Sequence, residues 1–160
     1  MNVLIICNDF PPLNTIGSER PYSWYKYFHR HSINTTVITK NWIDSGLSNY
    51  GISNNIATTR EVKTTESGII IKVPHNTILP ELISRHFGLN KFTLIRKLFT
   101  YIYKTLSFRW SFFDQHKFLY QEAYTFVKNN RVDVVITTGE PFILFKYGYK
   151  LKTKFNIKWI

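Results

Sequence analysis

The feature that most constrains the fold is an apolar run at the N-terminus, which leads through a proline-containing loop into a helical pattern. The run NVLIIC, Asn2–Cys7, has the length of one strand and no alternation, which is typical of a strand buried on both faces of a parallel sheet. Residues from Ser18 to about His31 have a helical pattern, and the β-branched NTTVITK, Asn34–Lys40, predicts a second strand. A strand, a helix and a strand in this short space predict a βαβ unit.

Strand-like and helical segments alternate over the rest of the chain. In order they are a strand at Gly68–Pro74, helices from Pro80 to about Asn130 with breaks near Gly88 and Ser107, a strand at Val132–Thr138, a helix at Pro141–Lys154 and a strand that begins in NIKWI. Asn41–Ser67 is rich in Asn, Ser, Thr and Gly and predicts a long loop. We therefore predict one α/β domain over residues 1–160, a Rossmann-like parallel sheet with helices on both faces. Because its last strand has only begun at Ile160, we expect it to be part of a longer protein.

The excess of basic residues indicates which kind of binding partner the chain can have. The chain has 21 Lys and Arg residues against 10 Asp and Glu, a formal charge of +11, and this predicts an anionic partner. The alternative is that a composition rich in Asn, Lys, Ile and Tyr, as AT-rich coding produces, raises the charge without a function. Nucleic acid is disfavoured as the partner, because the sequence contains no recognisable RNA- or DNA-binding motif.

Cysteine and histidine usage exclude several site chemistries. Cys7 is the single cysteine, which excludes an internal disulfide, and its place in an apolar run predicts a buried structural thiol. The five histidines have no metal-ligand spacing, so no metal site is predicted. No apolar run approaches the length of a membrane-spanning helix. We expect a cytoplasmic protein, either soluble or peripheral at the inner face of the cell membrane.

The loop before the first helix is the first candidate binding site. In an open α/β sheet, ligands bind at the carboxyl ends of the strands, where this loop must lie. A helix N-terminus favours an anion, and Gly17 lets the backbone approach a ligand. Ser18 can cap the helix, and Arg20 can donate two hydrogen bonds to a phosphate. These residues predict a site for an anionic or polyol ligand; the alternative is that Ser18 is only a cap and Arg20 a solvated charge.

Two motifs that would indicate other nucleotide-binding classes do not occur. The sequence has no G-x-G-x-x-G, which disfavours a dinucleotide fold of the usual dehydrogenase kind. It also has no G-x-x-x-x-G-K-[ST], which argues against a nucleoside-triphosphate hydrolase.

Two segments together resemble the N-terminal half of glycosyltransferases with the GT-B fold, of the family-4 kind. The first runs from NVLIICNDFPP through GSERPY to NTTVITK, and the second is VDVVITTGEPFILFKYGYKLKTKFNIKWI; Asn41–Arg131 between them is unmatched in detail. The resemblance implies a retaining, metal-independent transferase built from two facing Rossmann-like domains. This N-terminal domain would receive a glycan or lipid-linked acceptor, as in bacterial surface polysaccharide assembly. A C-terminal domain absent from the chain would bind the nucleotide-sugar, so no cofactor is implied and the fragment alone is expected to be inactive.

The resemblance also implies positions for the substrate-binding residues. Gly17 and Arg20 match the turn at the cleft, and Thr138–Pro141, with Gly139, matches a second loop that faces it. Thr15 and Ile16 stand where the family often has further glycines, which makes this turn stiffer.

Other polar residues at strand ends are candidates on chemistry alone. Glu19 and Glu140 can accept hydrogen bonds from sugar hydroxyls, or they can be solvated carboxylates. His75 follows the third strand in VPHN and can face the cleft, and Asp9 either lies at the ligand edge or shapes the turn before Pro11. No catalytic residue is assigned from the sequence.

The segment KFTLIRKLFTYIYKTL, Lys91–Leu106, predicts an amphipathic helix with a cationic polar face. One side gathers apolar residues that include Phe92 and Phe99, and the other gathers Arg96, Lys97 and Lys104 with no acid. Such a helix can lie at the surface of an anionic membrane, which is compatible with a transferase that acts on a lipid-linked acceptor. The alternative is that its apolar stripe packs on the sheet and the lysines face water. The alternative to the transferase is a stand-alone, basic, non-catalytic domain that binds an anionic membrane surface or an acidic partner.

Overall fold

The computed structural model describes residues 1–42, 57–79, 82, 83, 86, 92–110, 114–139 and 141–160. Its architecture is α/β and Rossmann-like, as predicted: one six-stranded, mostly parallel sheet with helices on both faces. The strands are β1 (Asn2–Cys7), β2 (Asn34–Lys40), β3 (Glu61–Thr65), β4 (Gly68–Val73), β5 (Val134–Thr138) and β6 (Lys158–Trp159). The described α-helices are α1 (Ile16–Phe28), α2 (Thr93–Arg109), α3 (Lys117–Asn129) and α4 (Ile143–Phe155), and a short 3₁₀ turn at His29–His31 extends α1.

The strand order is β3-β4-β2-β1-β5-β6, with β1 in the centre. All neighbours pair in parallel except β3, which runs antiparallel to β4 at the edge. The central strands are buried on both faces, which explains why their sequences are continuously apolar or β-branched instead of alternating.

Two core clusters lie on opposite faces of the sheet. One joins Leu4 and Ile6 of β1 to α3 and α4 through Leu119 and Leu144. The other joins the alternate residues of β1, including Cys7, to α1 through Tyr25. Burial raises the pKa of the Cys7 thiol far above its usual range, so the prediction of a buried, structural cysteine is confirmed.

One prediction about secondary structure was wrong in part. The predicted loop Asn41–Ser67 contains strand β3, whose exposed residues make its pattern polar because it lies at the sheet edge; residues 43–56 lie outside the described residues. The predicted break near Ser107 is confirmed to within two residues, since α2 ends at Arg109 and the next helix begins at Lys117. The predicted break at Gly88 lies outside the described residues.

Candidate functional site

The candidate site is the carboxyl edge of the sheet where β1 and β5 lie side by side. Cys7, the last residue of β1, is directly opposite Thr138, the last residue of β5. Strand order reverses at this point. The strands β2 and β4 lie on one side of β1, and the later strands β5 and β6 lie on the other side. We call the region between the loops that follow β1 and β5 the switch-point crevice. Ligands of open α/β sheets bind at this position.

The N-terminus of α1 is capped by the chain itself. The helix begins at Ile16, two residues before the predicted start, and Thr15 is its N-cap. The Ser18 amide donates to Thr15 Oγ1 at 3.2 Å, and the Thr15 amide donates to Ser18 Oγ at 3.3 Å, which forms a reciprocal capping box. Ser18 is fully buried, and its hydroxyl donates to the Leu13 carbonyl at 2.6 Å. Ser18 therefore holds the loop in place, and it is not accessible to a ligand in this conformation.

The glycine of the turn makes room for a carboxylate of the same chain. A Cβ at Gly17 would lie 3.0 Å from Asp9 Oδ2, and the hydroxyl of Thr15 donates to the same oxygen at 3.4 Å. Asn8 Nδ2 donates to Asp9 Oδ1 at 2.6 Å. A negative charge thus lies at the positive end of α1. This arrangement opposes a second anion at the same place and leaves a polar surface suited to hydroxyl groups.

The remaining predicted residues of the two loops differ in accessibility. Glu19 is exposed in the first turn of α1, and Arg20, the residue after it, is also exposed. Gly139 follows β5 with φ +83°, a backbone conformation that favours glycine, and a Cβ there would meet no atom within 4 Å. The loop after β5 therefore borders open space. Glu140 lies outside the described residues.

His75 is not in the switch-point crevice. It follows β4, which is separated from β1 by β2, so it lies roughly 10 Å along the sheet from the end of β1. The side chain is buried, and its position brings it near His116, which precedes α3. The structure therefore separates His75 from Gly17–Arg20 and Gly139.

A buried basic cluster surrounds His116, and no sequence pattern predicts it. Lys40, at the end of β2, is 5% exposed and lies over the ring of Trp42 at 4.9 Å. Burial, and then the proximity of Lys40 and His75, lowers the pKa of His116 to about 3, so its neutral form is favoured near neutral pH. Only the topology brings these residues together, so no local pattern could have revealed them.

Asp114 lies beside this cluster and is held by two hydrogen bonds. Its Oδ1 accepts from the His116 amide at 2.9 Å, and its Oδ2 accepts from the hydroxyl of Tyr147 in α4. Burial raises the pKa of Asp114, while these bonds and the nearby Lys146 and Lys150 oppose the rise. Since both oxygens are engaged, Asp114 ties α3 to α4.

Helix α2 presents an apolar surface to solvent. The α2 apolar face consists of Leu94 (83% exposed), Ile95 (49%), Leu98 (59%), Tyr101 (70%) and Ile102 (38%). Phe92, just before the helix, is 52% exposed, Lys97 is exposed, and Arg96 and Phe99 are half-buried. The side chain of Lys104 lies outside the described residues. Of the residues described, none in α2 belongs to either core cluster, so the alternative in which this stripe packs on the sheet is wrong.

No three His, Cys, Asp or Glu side chains in the described ranges are grouped so that they could hold a metal ion. No helix in the same part of the chain is both long enough and apolar enough to cross a bilayer.

Comparison with known proteins identifies no relative. No family model matches this chain, and neither does a curated protein or a solved structure.

Proposed function

We propose that this chain is the acceptor-side domain of a GT-B sugar transferase. One observation carries the proposal. The two segments that resemble such enzymes are separated by most of the chain, yet their strands end side by side, with Cys7 opposite Thr138. Their loops therefore border one crevice, at the position where α/β folds bind ligands. In the complete enzyme, a second domain would bind the nucleotide-sugar and close over this crevice.

The polar groups at the end of α1 favour a neutral, hydroxyl-rich acceptor there. The Asp9 carboxylate against Gly17 repels phosphate but can accept hydrogen bonds from sugar hydroxyls. Glu19, exposed in the first turn, offers a second acceptor of the same kind. Arg20 is the cation of this loop, and its role in the proposal is to neutralise a phosphate that the donor or a lipid-linked acceptor brings to the crevice.

The first test is to follow the reading frame past Ile160 and assay the complete protein. We expect a second α/β domain and transfer of a labelled sugar from one member of a nucleotide-sugar panel. Arg20→Ala is expected to lower kcat/KM by about tenfold or more, which corresponds to the loss of one charge-assisted hydrogen bond. Arg30→Ala is the matched control, since Arg30 is exposed just beyond the other end of α1 and lies over the Tyr27 ring at 4.6 Å.

Two results would contradict the proposal. A stop codon directly after Ile160 would leave no donor domain to face the crevice. Equal activity of Arg20→Ala and wild type, with both proteins folded, would show that Arg20 does not act in transfer. If the stop codon is found, the chain would instead be a non-catalytic binding domain.

A further inference from the structure

The α2 apolar face is the largest group of exposed apolar side chains on one described helix. At 100° per residue, Leu94, Leu98, Tyr101 and Ile102 fall within an arc of roughly 100°. Leu94 alone is 83% exposed. Single exposed apolar residues are ordinary in proteins, but a contiguous patch of this kind marks an interaction site.

Among the described residues, other helices already pack on both faces of the sheet. One face of the sheet is covered by α3 and α4, which supply Leu119 and Leu144 to its core cluster. The other face is covered by α1, through Tyr25 and the half-buried Trp24 and Phe28. Within the described part of the chain, α2 is therefore an added helix that the core does not require.

The segment of sequence that contains α2 carries charge of a single sign. Residues 82–113 contain six Lys and Arg residues and no Asp or Glu. On the helix, Lys97 and the Cα position of Lys104, one heptad later, border the α2 apolar face on one side. Arg96 lies toward the opposite side and is half-buried. An exposed apolar face bordered by lysines complements a surface that combines negative charge with an apolar interior.

We propose that α2 docks the protein on an anionic lipid bilayer, with the α2 apolar face inserted below the headgroups and its lysines at their level. Amphipathic helices with this pattern lie in the membrane interface and do not cross it. Tyr101 and Trp110, 70% and 53% exposed, are of the residue types enriched at that depth. A second copy of the chain is a poor occupant, because face-to-face pairing would bring two cationic segments together. This proposal does not depend on sugar transfer.

The test is sedimentation of the 160-residue chain with phosphatidylcholine vesicles, with and without phosphatidylglycerol. We expect binding only to the anionic vesicles, weakening as salt rises. Leu94→Ser is expected to weaken binding by about tenfold, since an inserted leucine contributes roughly 1.5 kcal/mol. Ile16→Ser is the matched control, because Ile16 is 94% exposed on α1 and is expected to leave binding unchanged.

The contribution of charge is tested separately. Lys97→Glu with Lys104→Glu is expected to reduce binding by about tenfold or more, at roughly 1 kcal/mol for each basic residue near the surface. Lys128→Glu with Lys152→Glu makes the same change in net charge at exposed positions of α3 and α4 and is expected to have a much smaller effect.

Three outcomes would overturn the proposal. The first is failure to bind anionic vesicles at low salt. The second is equal loss of binding in the test and control variants, which would indicate attraction by net charge alone. The third is a dimer that Leu94→Ser dissociates and that does not bind vesicles, which would identify a second copy as the occupant.

Discussion

Gly148, in the middle of α4, lies against the indole of Trp159 in β6. A Cβ at this position would be 2.2 Å from Trp159 Nε1, 2.6 Å from Cε2 and 2.7 Å from Cδ1. Non-bonded heavy atoms prefer separations of about 3.5–4.0 Å, so Gly148→Ala must displace the indole by roughly 1 Å or more. That movement also threatens the bond from Trp159 Nε1 to Thr137 Oγ1, now 2.8 Å.

The size of the effect follows from three contributions. Overpacking costs about 1–3 kcal/mol, and loss of the indole hydrogen bond costs about 1 kcal/mol more. Alanine is the better helix former by about 1 kcal/mol. We therefore expect Gly148→Ala to lower the free energy of unfolding by about 1–3 kcal/mol, whereas helix propensity alone predicts a gain.

Urea denaturation followed by far-ultraviolet circular dichroism measures this change, and a double-mutant cycle isolates its cause. In a Trp159→Ala background the obstructing atoms are gone, so the same Gly148→Ala change is expected to stabilise the protein by up to about 1 kcal/mol. Stabilisation of the protein by Gly148→Ala with Trp159 present would contradict the predicted clash. An equal loss of stability in both backgrounds would show that Trp159 is not its cause.

The other predictions concern the hairpin, the first helix cap and the Asp114 pair. Gly68→Ala should destabilise the fold by about 2–6 kcal/mol in urea denaturation, because Gly68 has φ +139° and a Cβ there would lie 2.1 Å from the Thr35 carbonyl oxygen; a loss below about 1 kcal/mol would contradict this. Thr15→Ala should cost about 1 kcal/mol through loss of the N-cap, and Thr15→Ser should retain it. Burial raises the folded-state pKa of Asp114, so the folded protein binds this proton more tightly than the unfolded chain does. The stability that protonated Asp114 contributes is therefore lost as pH rises through that pKa. Tyr147→Phe removes the hydrogen bond to Asp114 Oδ2, which lowers the pKa of Asp114 and stabilises its ionised form. The variant should therefore be less stable than wild type at neutral pH. This difference in the free energy of unfolding should narrow as Asp114 becomes protonated at lower pH. A pH-independent difference in urea denaturation would show that the bond does not act on the carboxylate.

Much of the fold could be predicted because burial on both faces leaves a local signal. The continuous runs at Asn2–Cys7 and Asn34–Lys40 predict strands β1 and β2 with the bounds that they have in the structure. Strand β3 was missed because its residues are exposed at the sheet edge, where pairing with β4 requires little side-chain burial and leaves no apolar alternation.

The candidate site could be predicted less completely. Its position followed from the βαβ pattern, but the partners of its side chains did not. Ser18 takes part in capping α1, as predicted. It does so from the third helical position, as the partner of the N-cap Thr15. Asp9 was recognised as lying near the ligand edge, but its contact with Gly17 depends on how the loop folds back. The cluster of Lys40, His75 and His116 joins residues from distant parts of the chain.

The sequence by itself determined the α/β class, the central strands and the amphipathic character of α2, because each depends on the periodicity of apolar residues along one segment. Only the tertiary structure decided which strands are neighbours, that β1 and β5 end side by side, and that the apolar side of α2 remains exposed. The physical reason is that periodicity records how much of a segment is buried or can be buried. It does not record which surface, if any, covers it, and that depends on contacts between residues far apart in the chain.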